Sequence, residues 1–198
     1  MGEETAGPRQ RYRQQVRAEV LELAWQQIEE AGASALSLKA IAKRLGITAP
    51  ALYRYYASRD ELLTELILSA YRDLAEVVEK AAGSTVGAAP ARLTAIARAI
   101  RAWALANTQR YLLLYGTPVP GYHAPPEATA LATRILTPVL RGFSDAGHAE
   151  AAMRRAMVFW TRLHGVISLE AAGHFAGMPF DPAVLYTAEV ASVVMLDD

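Results

Sequence analysis

The residues best able to engage another molecule crowd into one short stretch. Thr48, Tyr53, Arg54 and Tyr55 fall within eight positions, with Ala49, Pro50 and Ala51 among them. A hydroxyl at a helix N-terminus, here Thr48, can meet a phosphate. The phenols of Tyr53 and Tyr55 donate to the same oxygens, and the fork of Arg54 suits either phosphate or guanine. The small apolar residues can approach thymine methyls closely. Bond-making chemistry is poorly served by comparison. There is no cysteine, hence no thiolate ligand and no thiol nucleophile. No G-x-S-x-G or P-loop string occurs, and no carboxylate pair stands in an apolar setting. The four histidines, His123, His148, His164 and His174, are scattered. Glu170 and His174 lie one helical turn apart, but two ligands do not make a metal site. The sequence predicts no enzyme, no metal and no cofactor.

Helical patterns surround that stretch. Val16, Val20, Leu23, Ala24, Ile28 and Ala31 recur at helical spacing, and Gly32 ends the run. Ser37 can cap a short helix buried through Leu38, Ile41 and Leu45 and stopped by Gly46. Thr48 and Pro50 open a third helix, expected to run to about Tyr56. Ser58 and Glu61 read as a capping box ahead of a long fourth helix. Two short helices joined by a Gly-containing turn project the second one outward, as a major-groove reader requires.

Further helices are expected from about Ala91 to Asn107, Thr108 to Tyr115, Glu127 to about Asp145 (with Pro138 as a kink or break), Ala149 to about His174, and Asp181 to about Leu196. No alternating strand pattern appears. The expectation is an all-α protein of about nine helices.

The composition agrees with a large buried volume. Of 198 residues, 53% are hydrophobic, and the 13 glycines bring the apolar share to roughly 60%, against a typical 45–50%. Such a surplus needs a core, a subunit interface or a greasy pocket. The longest uncharged run, Tyr111 to Pro126, holds four prolines and two glycines, so no membrane span is expected. The polar start lacks an apolar leader, which points to a cytoplasmic protein. Net charge is zero but unevenly spread. Arg9 to Arg59 carries nine Lys/Arg against four acids, net +5, whereas Asp60 onward is net −3. A basic head on a mildly acidic body suits a polyanionic partner.

Residues 37–63 resemble the DNA-binding head of the TetR (tetracycline repressor) family of bacterial transcription regulators. The resemblance rests on Ser37-Leu38, Ile41-Ala42, Gly46-Ile47, Ala51-Leu52-Tyr53 and the run Tyr55-Tyr56-Ala57-Ser58-Arg59-Asp60-Glu61-Leu62. Tyr55 and Tyr56 stand where the family usually has His then Phe, and Arg59 where it has Lys. The resemblance implies that Ser37, Lys39, Thr48, Tyr53, Tyr55 and Arg59 hold phosphates while Ala49, Pro50, Ala51 and Arg54 face bases. The DNA-binding domain would span 1–58, with a disordered arm over about 1–10. Arg9, Arg11 and Arg13 form a basic arm that can reach the backbone or minor groove, or serve only as a soluble tail.

Residues 59–198 would form a ligand-binding and dimerisation domain. The family implies a homodimer through the last two helices, reading a palindromic operator in double-stranded DNA. The small residues Gly165, Ala171, Ala172 and Gly173 and the apolar face of Val184, Leu185, Ala188, Ala191, Ser192 and Met195 suit that contact. The string Trp160, His164, Gly165 resembles a Trp-His-Gly body subtype. Trp103, Leu105, Tyr111, Tyr115, Phe143, Met153, Met157, Trp160 and His164 lie on apolar stripes of different helices, so they line either a pocket or only the core. Tyr122 and His123, in the loop Gly116–Pro126, could gate an entrance. An unidentified small, mostly apolar effector would shift the spacing of two heads and release a repressor from DNA. The alternative is a helical interaction or small-molecule-binding protein without specific DNA binding.

Overall fold

The computed structural model describes residues 7–144 and 149–195. Among them are nine α-helices and no strand. They are α1 (Pro8–Ala31), α2 (Leu38–Arg44), α3 (Ala49–Leu52), α4 (Arg59–Ser84), α5 (Ala89–Ala106), α6 (Thr108–Tyr115), α7 (Pro126–Gly142), α8 (Ala149–Ala171) and α9 (Pro182–Val194). His148, and the Asp145 and Leu196 helix ends expected from sequence, lie outside the described residues.

The chain divides into two compact units. The first runs to Ile67 and also takes in Val119–His123; the second holds the rest. The boundary at Ile67 lies nine residues beyond the expected 58, because the opening turns of α4 bury Leu62, Leu63 and Leu66. In the first unit these join Val20, Ala24 and Ile28 of α1, Ile41 of α2, and Leu52 and Tyr56. Ala31, placed on the buried face by periodicity, is exposed at the end of α1. Residues 8–10, expected to be part of a disordered arm, are the first turn of α1.

Local signals explain four of the helix starts. The Ser37 hydroxyl accepts from the Ala40 N–H, and that of Thr48 from the Ala51 N–H. Asp181 accepts from the Ala183 N–H at 2.8 Å, with Pro182 at the first helical position. The capping box forms differently from its usual reciprocal pattern. Ser58 accepts from Glu61 N–H at 3.1 Å, but the Glu61 carboxylate reaches back to the Ala57 N–H at 2.6 Å. Helix α3 stops at Leu52, well short of Tyr56; the chain continues as turns with Arg54 N–H to Ala51 and Tyr55 N–H to Leu52 bonds. Pro138 does not break α7, which continues to Gly142 although the ring deprives the Arg134 carbonyl of its helical donor.

The second unit packs around Leu74 and Val78 of α4, Leu93, Ile96 and Ile100 of α5, and the inner faces of α6 to α9. Two helices approach closely at Gly142 of α7. A Cβ added there would lie 2.6 Å from Leu93 Cδ2, and Leu93 is itself buried. Gly142→Ala is therefore expected to overpack the α5–α7 contact and cost about 1–3 kcal/mol. A urea titration showing no shift in midpoint would disprove that packing.

Candidate nucleic-acid interface

The turn between α2 and α3 is built to one pattern. Gly46 takes φ 68°, a left-handed conformation that side chains resist. The Ile47 N–H bonds to the Ala42 carbonyl at 3.1 Å, and the Gly46 N–H to the Lys43 carbonyl at 3.2 Å. Those two bonds close the end of α2 and aim the chain toward Thr48. Ala42 is buried and small. Gln27, buried on α1, accepts from the Ser37 N–H at 2.9 Å and so fixes the start of α2.

The surface this leaves carries most of the expected residues. Lys39, Thr48, Pro50, Tyr53 and Arg54 are exposed, while Ser37, Ala49, Ala51 and Tyr55 are half-buried. Neither Lys39 nor Arg54 makes an ion pair among the described residues. Arg9, Arg11 and Arg13 are exposed on the opening turns of α1.

Arg59 departs from expectation. Its Nε donates to the Leu36 carbonyl at 3.1 Å, and one terminal nitrogen donates to Ala33 at 2.8 Å; the other faces Asp60 at 3.8 Å. Nε and that terminal nitrogen hold the α1–α2 connection, which leaves the nitrogen beside Asp60 as the only arm of Arg59 without a hydrogen bond among the described residues. Arg17, which the sequence did not single out, behaves similarly. It pairs with Glu65, donates to the Tyr55 carbonyl at 3.2 Å, and lies 4.5 Å over the Tyr56 ring. Burial is the strongest single influence and lowers its pKa, but the Glu65 hydrogen bond together with the charges of Tyr56, Glu65 and Glu61 outweighs it and holds the pKa above the ordinary arginine value. A sequence signal existed: Arg17 lies one residue from the buried stripe of α1, and Gln27 one residue from Ile28.

The body residues proposed for a ligand separate into groups. Tyr111, Tyr115, Trp160 and His164 come together. The ring of His164 lies 4.2 Å from that of Trp160 and 4.3 Å from that of Tyr115, centre to centre. The Tyr111 hydroxyl is 2.9 Å from His164 Nδ1 and 2.9 Å from Ser168 Oγ. Ser168 is a partner that the sequence reading missed; it lies one turn beyond His164 on α8. His164 Nε2 is buried and has no hydrogen-bond partner among the described residues. Burial drives the imidazole pKa down to about 4, and burial likewise raises the Tyr111 and Tyr115 phenols.

The others lie apart from this cluster. Met157 is a half-buried part of the core. Phe143 is buried against Phe159 at 5.6 Å, with Arg155 over its outer face. Trp103 borders a shallow hollow with Asp73 and Asn107. Met153 and Leu105 are exposed, so neither lies on a buried stripe. Tyr122 is tied down: its hydroxyl is 3.1 Å from Thr64 Oγ1 on α4. Glu170 is held by Arg101 through two bonds of 2.9 and 2.5 Å and is not available to His174 as a metal ligand. No group of three metal-ligating side chains occurs among the described residues.

A helical head with free cations and phenols around a helix-turn-helix, joined to an all-helical body, defines a DNA-binding regulator. Comparison with known proteins makes the class specific. Residues 20–66 match the family model for bacterial regulatory proteins of the tetR family, and residues 93–193 match that for a tetracyclin repressor-like C-terminal domain. The chain is 38% identical to the HTH-type transcriptional regulator Rv1816 of Mycobacterium tuberculosis, over 95% of this chain and 94% of that one. It superposes on the crystal structure of SCO4313, described as a regulatory protein, with TM-score 0.88 and 47% identity, covering 96% of this chain and 100% of that chain. It shares the fold, at 17% identity and TM-score 0.62, with a TetR variant from Acinetobacter baumannii, covering 89% of this chain and 92% of that one. The chain belongs to the TetR family of DNA-binding transcriptional regulators.

Two outcomes follow from the geometry. Arg59→Ala should destabilise the head by about 1–3 kcal/mol by stripping the Ala33 and Leu36 carbonyls of charged donors. Arg54→Ala should change stability by less than about 0.5 kcal/mol; equal effects in denaturant titrations would refute the division of labour. His164 is held neutral, so the unfolded chain takes up its proton first as pH falls. Stability present above pH 6.5 is lost between there and about pH 4, by up to about 3 kcal/mol. His164→Gln should lack that loss over the same pH range; parallel stability curves for the two proteins would show that the imidazole is not buried neutral.

Proposed function

We propose that the protein is a homodimeric repressor that holds a palindromic operator and is released by a small, mostly apolar effector. The observation that carries the DNA reading is the split among the basic residues of the head. Arg17 and Arg59 are consumed inside it, whereas Lys39 and Arg54, beside the phenol of Tyr53, are exposed with donors unspent. In this reading Lys39, Thr48, Tyr53, Tyr55 and Ser37 hold phosphates, and Arg54, Ala49, Pro50 and Ala51 meet base edges. Such a protein works in the cytoplasm, where bacterial DNA lies; no described helix is long and apolar enough to cross a membrane.

Dimerisation is supported by the outer face of α9. Val184 is 67% and Met195 75% exposed, with Ala188 and Ala191 between them at helical spacing. On α8, Leu169 and Gly165 are exposed, and a Cβ at Gly165 would meet nothing. A two-fold pair through these faces matches a two-fold operator, with half-sites about 34–36 Å apart or a multiple of that.

The effector reading rests on the cluster around His164. Trp160, Tyr115 and Tyr111 supply apolar and aromatic contact, and Nε2 is a buried group still lacking a partner, which an acceptor or donor on a ligand would satisfy. The string Trp160, His164, Gly165 also keeps the Trp-His-Gly subtype as a reading of the body. The Acinetobacter baumannii TetR variant was solved in complex with minocycline, so this fold accommodates a small molecule in that protein. Helix α4, which runs from the first unit into the second, is the lever through which an effector would act.

The test is a salt-titrated binding curve with the intergenic DNA flanking the protein's own gene, against scrambled DNA of equal length. Binding should saturate at two protomers per site and weaken by about 0.9 log units per log unit of salt for each phosphate contacted. Arg54→Ala should cost about 1–3 kcal/mol at one base position if it reads a base, or act uniformly if it holds phosphate. No binding to either DNA at low salt would favour the alternative, a helical binding protein that has lost operator recognition.

A further inference from the structure

Within the second unit, helices α4, α5 and α7 line a hollow of about 410 Å³. That volume is within the roughly 300–1,000 Å³ of small-molecule sites. Its apolar lining is Ala82 of α4, Ile96 of α5, and Pro138 and Gly142 of α7. Ile96 and Gly142 are buried, and α5 and α7 come close together at Gly142. The hollow shares no residue with the aromatic cluster around His164. It takes none from α8 or α9 either, so it and the proposed pairing of two copies make no claim on the same side chain.

Three charged side chains line it, Glu79, Arg92 and Arg141. The acid is already neutralised, because Arg134 donates to both Glu79 oxygens, at 2.9 and 2.8 Å. The two guanidiniums come from different helices and meet no acid among the described residues. Arg141 is exposed and makes neither an ion pair nor a hydrogen bond there. Arg92 is half-buried and donates from one nitrogen to the Gly87 carbonyl at 3.1 Å, with its other donors unspent. The last turn of α7, where Arg141 lies, suits a cation. The start of α5 does not, yet Arg92 is its fourth residue, and that end has no acid in its first turn and no side-chain cap. Positive potential from two walls of the hollow is left without a counter-ion.

We infer that this hollow binds a phosphate monoester, its phosphoryl group held between Arg92 and Arg141 and its organic part laid on Ala82, Ile96 and Pro138. Charge and oxygen count select this occupant. A monoester carries about −1.5 to −2 at pH 7 and three acceptor oxygens, enough for charge-assisted bonds to two guanidinium forks. A monocarboxylate brings one charge and fits one fork. A phosphodiester, the form found in DNA, also brings a single charge per group, so this site differs in kind from the surface of the head. A neutral ligand would leave both cations without a counter-ion. A second copy packed symmetrically on the hollow would add two more guanidiniums and, from the hollow itself, only the Glu79 that Arg134 already holds.

Calorimetric titration of the full chain with phenyl phosphate tests this, at fixed ionic strength and about pH 7.5, above the second phosphate pKa of about 6. Inorganic phosphate and benzoate are titrated alongside. Saturable binding of phenyl phosphate at one site per chain is expected. It should be tighter than that of inorganic phosphate, because the ring adds apolar contact, and tighter than that of benzoate, which carries one charge. Arg92→Gln and Arg141→Gln should each weaken phenyl phosphate about fivefold, the upper end of an exposed ion pair, and together should remove it. Arg141→Gln breaks no bond among the described residues, so its melting temperature should match that of the parent. Lys39→Gln combined with Arg54→Gln, which strips exposed cations from the head, should leave phenyl phosphate binding as it was. Binding that survives the double exchange at Arg92 and Arg141, or that disappears with the head pair, would overturn the assignment. Equal affinity for benzoate or for inorganic phosphate would do the same. So would an affinity that falls as the chain is concentrated through its dimerisation range, because a partner copy would then cover the hollow.

Discussion

A helix of four residues makes too few hydrogen bonds to hold itself, since isolated helices shorter than about 12–15 residues are marginal in water. Helix α3 is such a helix, and it carries Ala49, Pro50 and Ala51 and positions Thr48, Tyr53 and Arg54 at its ends, residues that would meet DNA in the proposed reading. Its position depends on what lies beneath it. Leu52 and Tyr56 are fully buried, and Arg17 clamps the chain just beyond α3 through the Tyr55 carbonyl while lying over the Tyr56 ring. Glu65, on α4, completes that clamp by pairing with Arg17. The far side of the motif is fixed in the same manner, with Arg59 on the carbonyls of residues 33 and 36 and Gln27 on the amide of Ser37. Cations of the head are thus of two kinds. Arg17 and Arg59 bend inward and satisfy backbone groups that would otherwise be orphaned. Lys39 and Arg54 on the open side stay solvated and keep their donors, whereas Arg44, also exposed, donates to the Gln26 side chain at 2.7 Å.

The body solves a related problem around an imidazole. His164 is half-buried among rings, where a charged form would be poorly solvated, so it stays neutral and shares its Nδ1 with Tyr111. Ser168 meets the same phenol from one turn further along α8. This leaves Nε2 as the open end of the Ser168–Tyr111–His164 chain. An orphaned buried polar atom costs about 1–3 kcal/mol, a cost that persists only where something compensates it. The arrangement therefore combines a rigid aromatic wall with one directional polar group, the combination by which mostly apolar sites fix the orientation of what they bind.

The fold was legible because helical periodicity, capping residues and the glycine stops at Gly32 and Gly46 all pointed the same way. The helix-turn-helix was legible for the same reason, down to the left-handed Gly46. What could not be read from the sequence is tertiary. Nothing in the order of residues says that Arg59 turns back 23 positions to the Leu36 carbonyl while Arg54 does not. Nor does a periodic stripe separate Met153, exposed on α8, from Ala156, fully buried one turn on. Aromatic side chains gave a mixed result for a physical reason. Tyr111 and Tyr115 on α6 face Trp160 and His164 on α8 and meet them, whereas Phe143 finds a nearer partner in Phe159 and is spent on the core. The family resemblance supplied phosphate roles by position, and at Arg59 the local backbone makes the competing claim.

The apolar surplus in the composition has its main home in the body core, but not its whole home. Helix α9 buries Tyr186, Val190, Val193 and Val194 on one side, while Val184 and, just past its end, Met195 are exposed. A helix that is apolar on more than its core face, broken here only by Thr187, Glu189 and Ser192, leaves surface that favours a partner, since each large exposed side chain forfeits about 1.5–3 kcal/mol of burial. The neighbouring helix α8 has a small residue at Gly165, with open space above it. Function presses in the same direction. In the proposed reading, a head that turns Ala49, Pro50, Ala51 and Arg54 toward bases would have one strong directional reader, and each good base contact discriminates by only about 1–3 kcal/mol. Pairing two such heads multiplies the discrimination without any new contact within either. In the proposed homodimer the exposed face of α9 would be covered by its counterpart and the residues around α3 would be presented twice, so one pairing would answer both the exposed apolar surface and the short list of base readers.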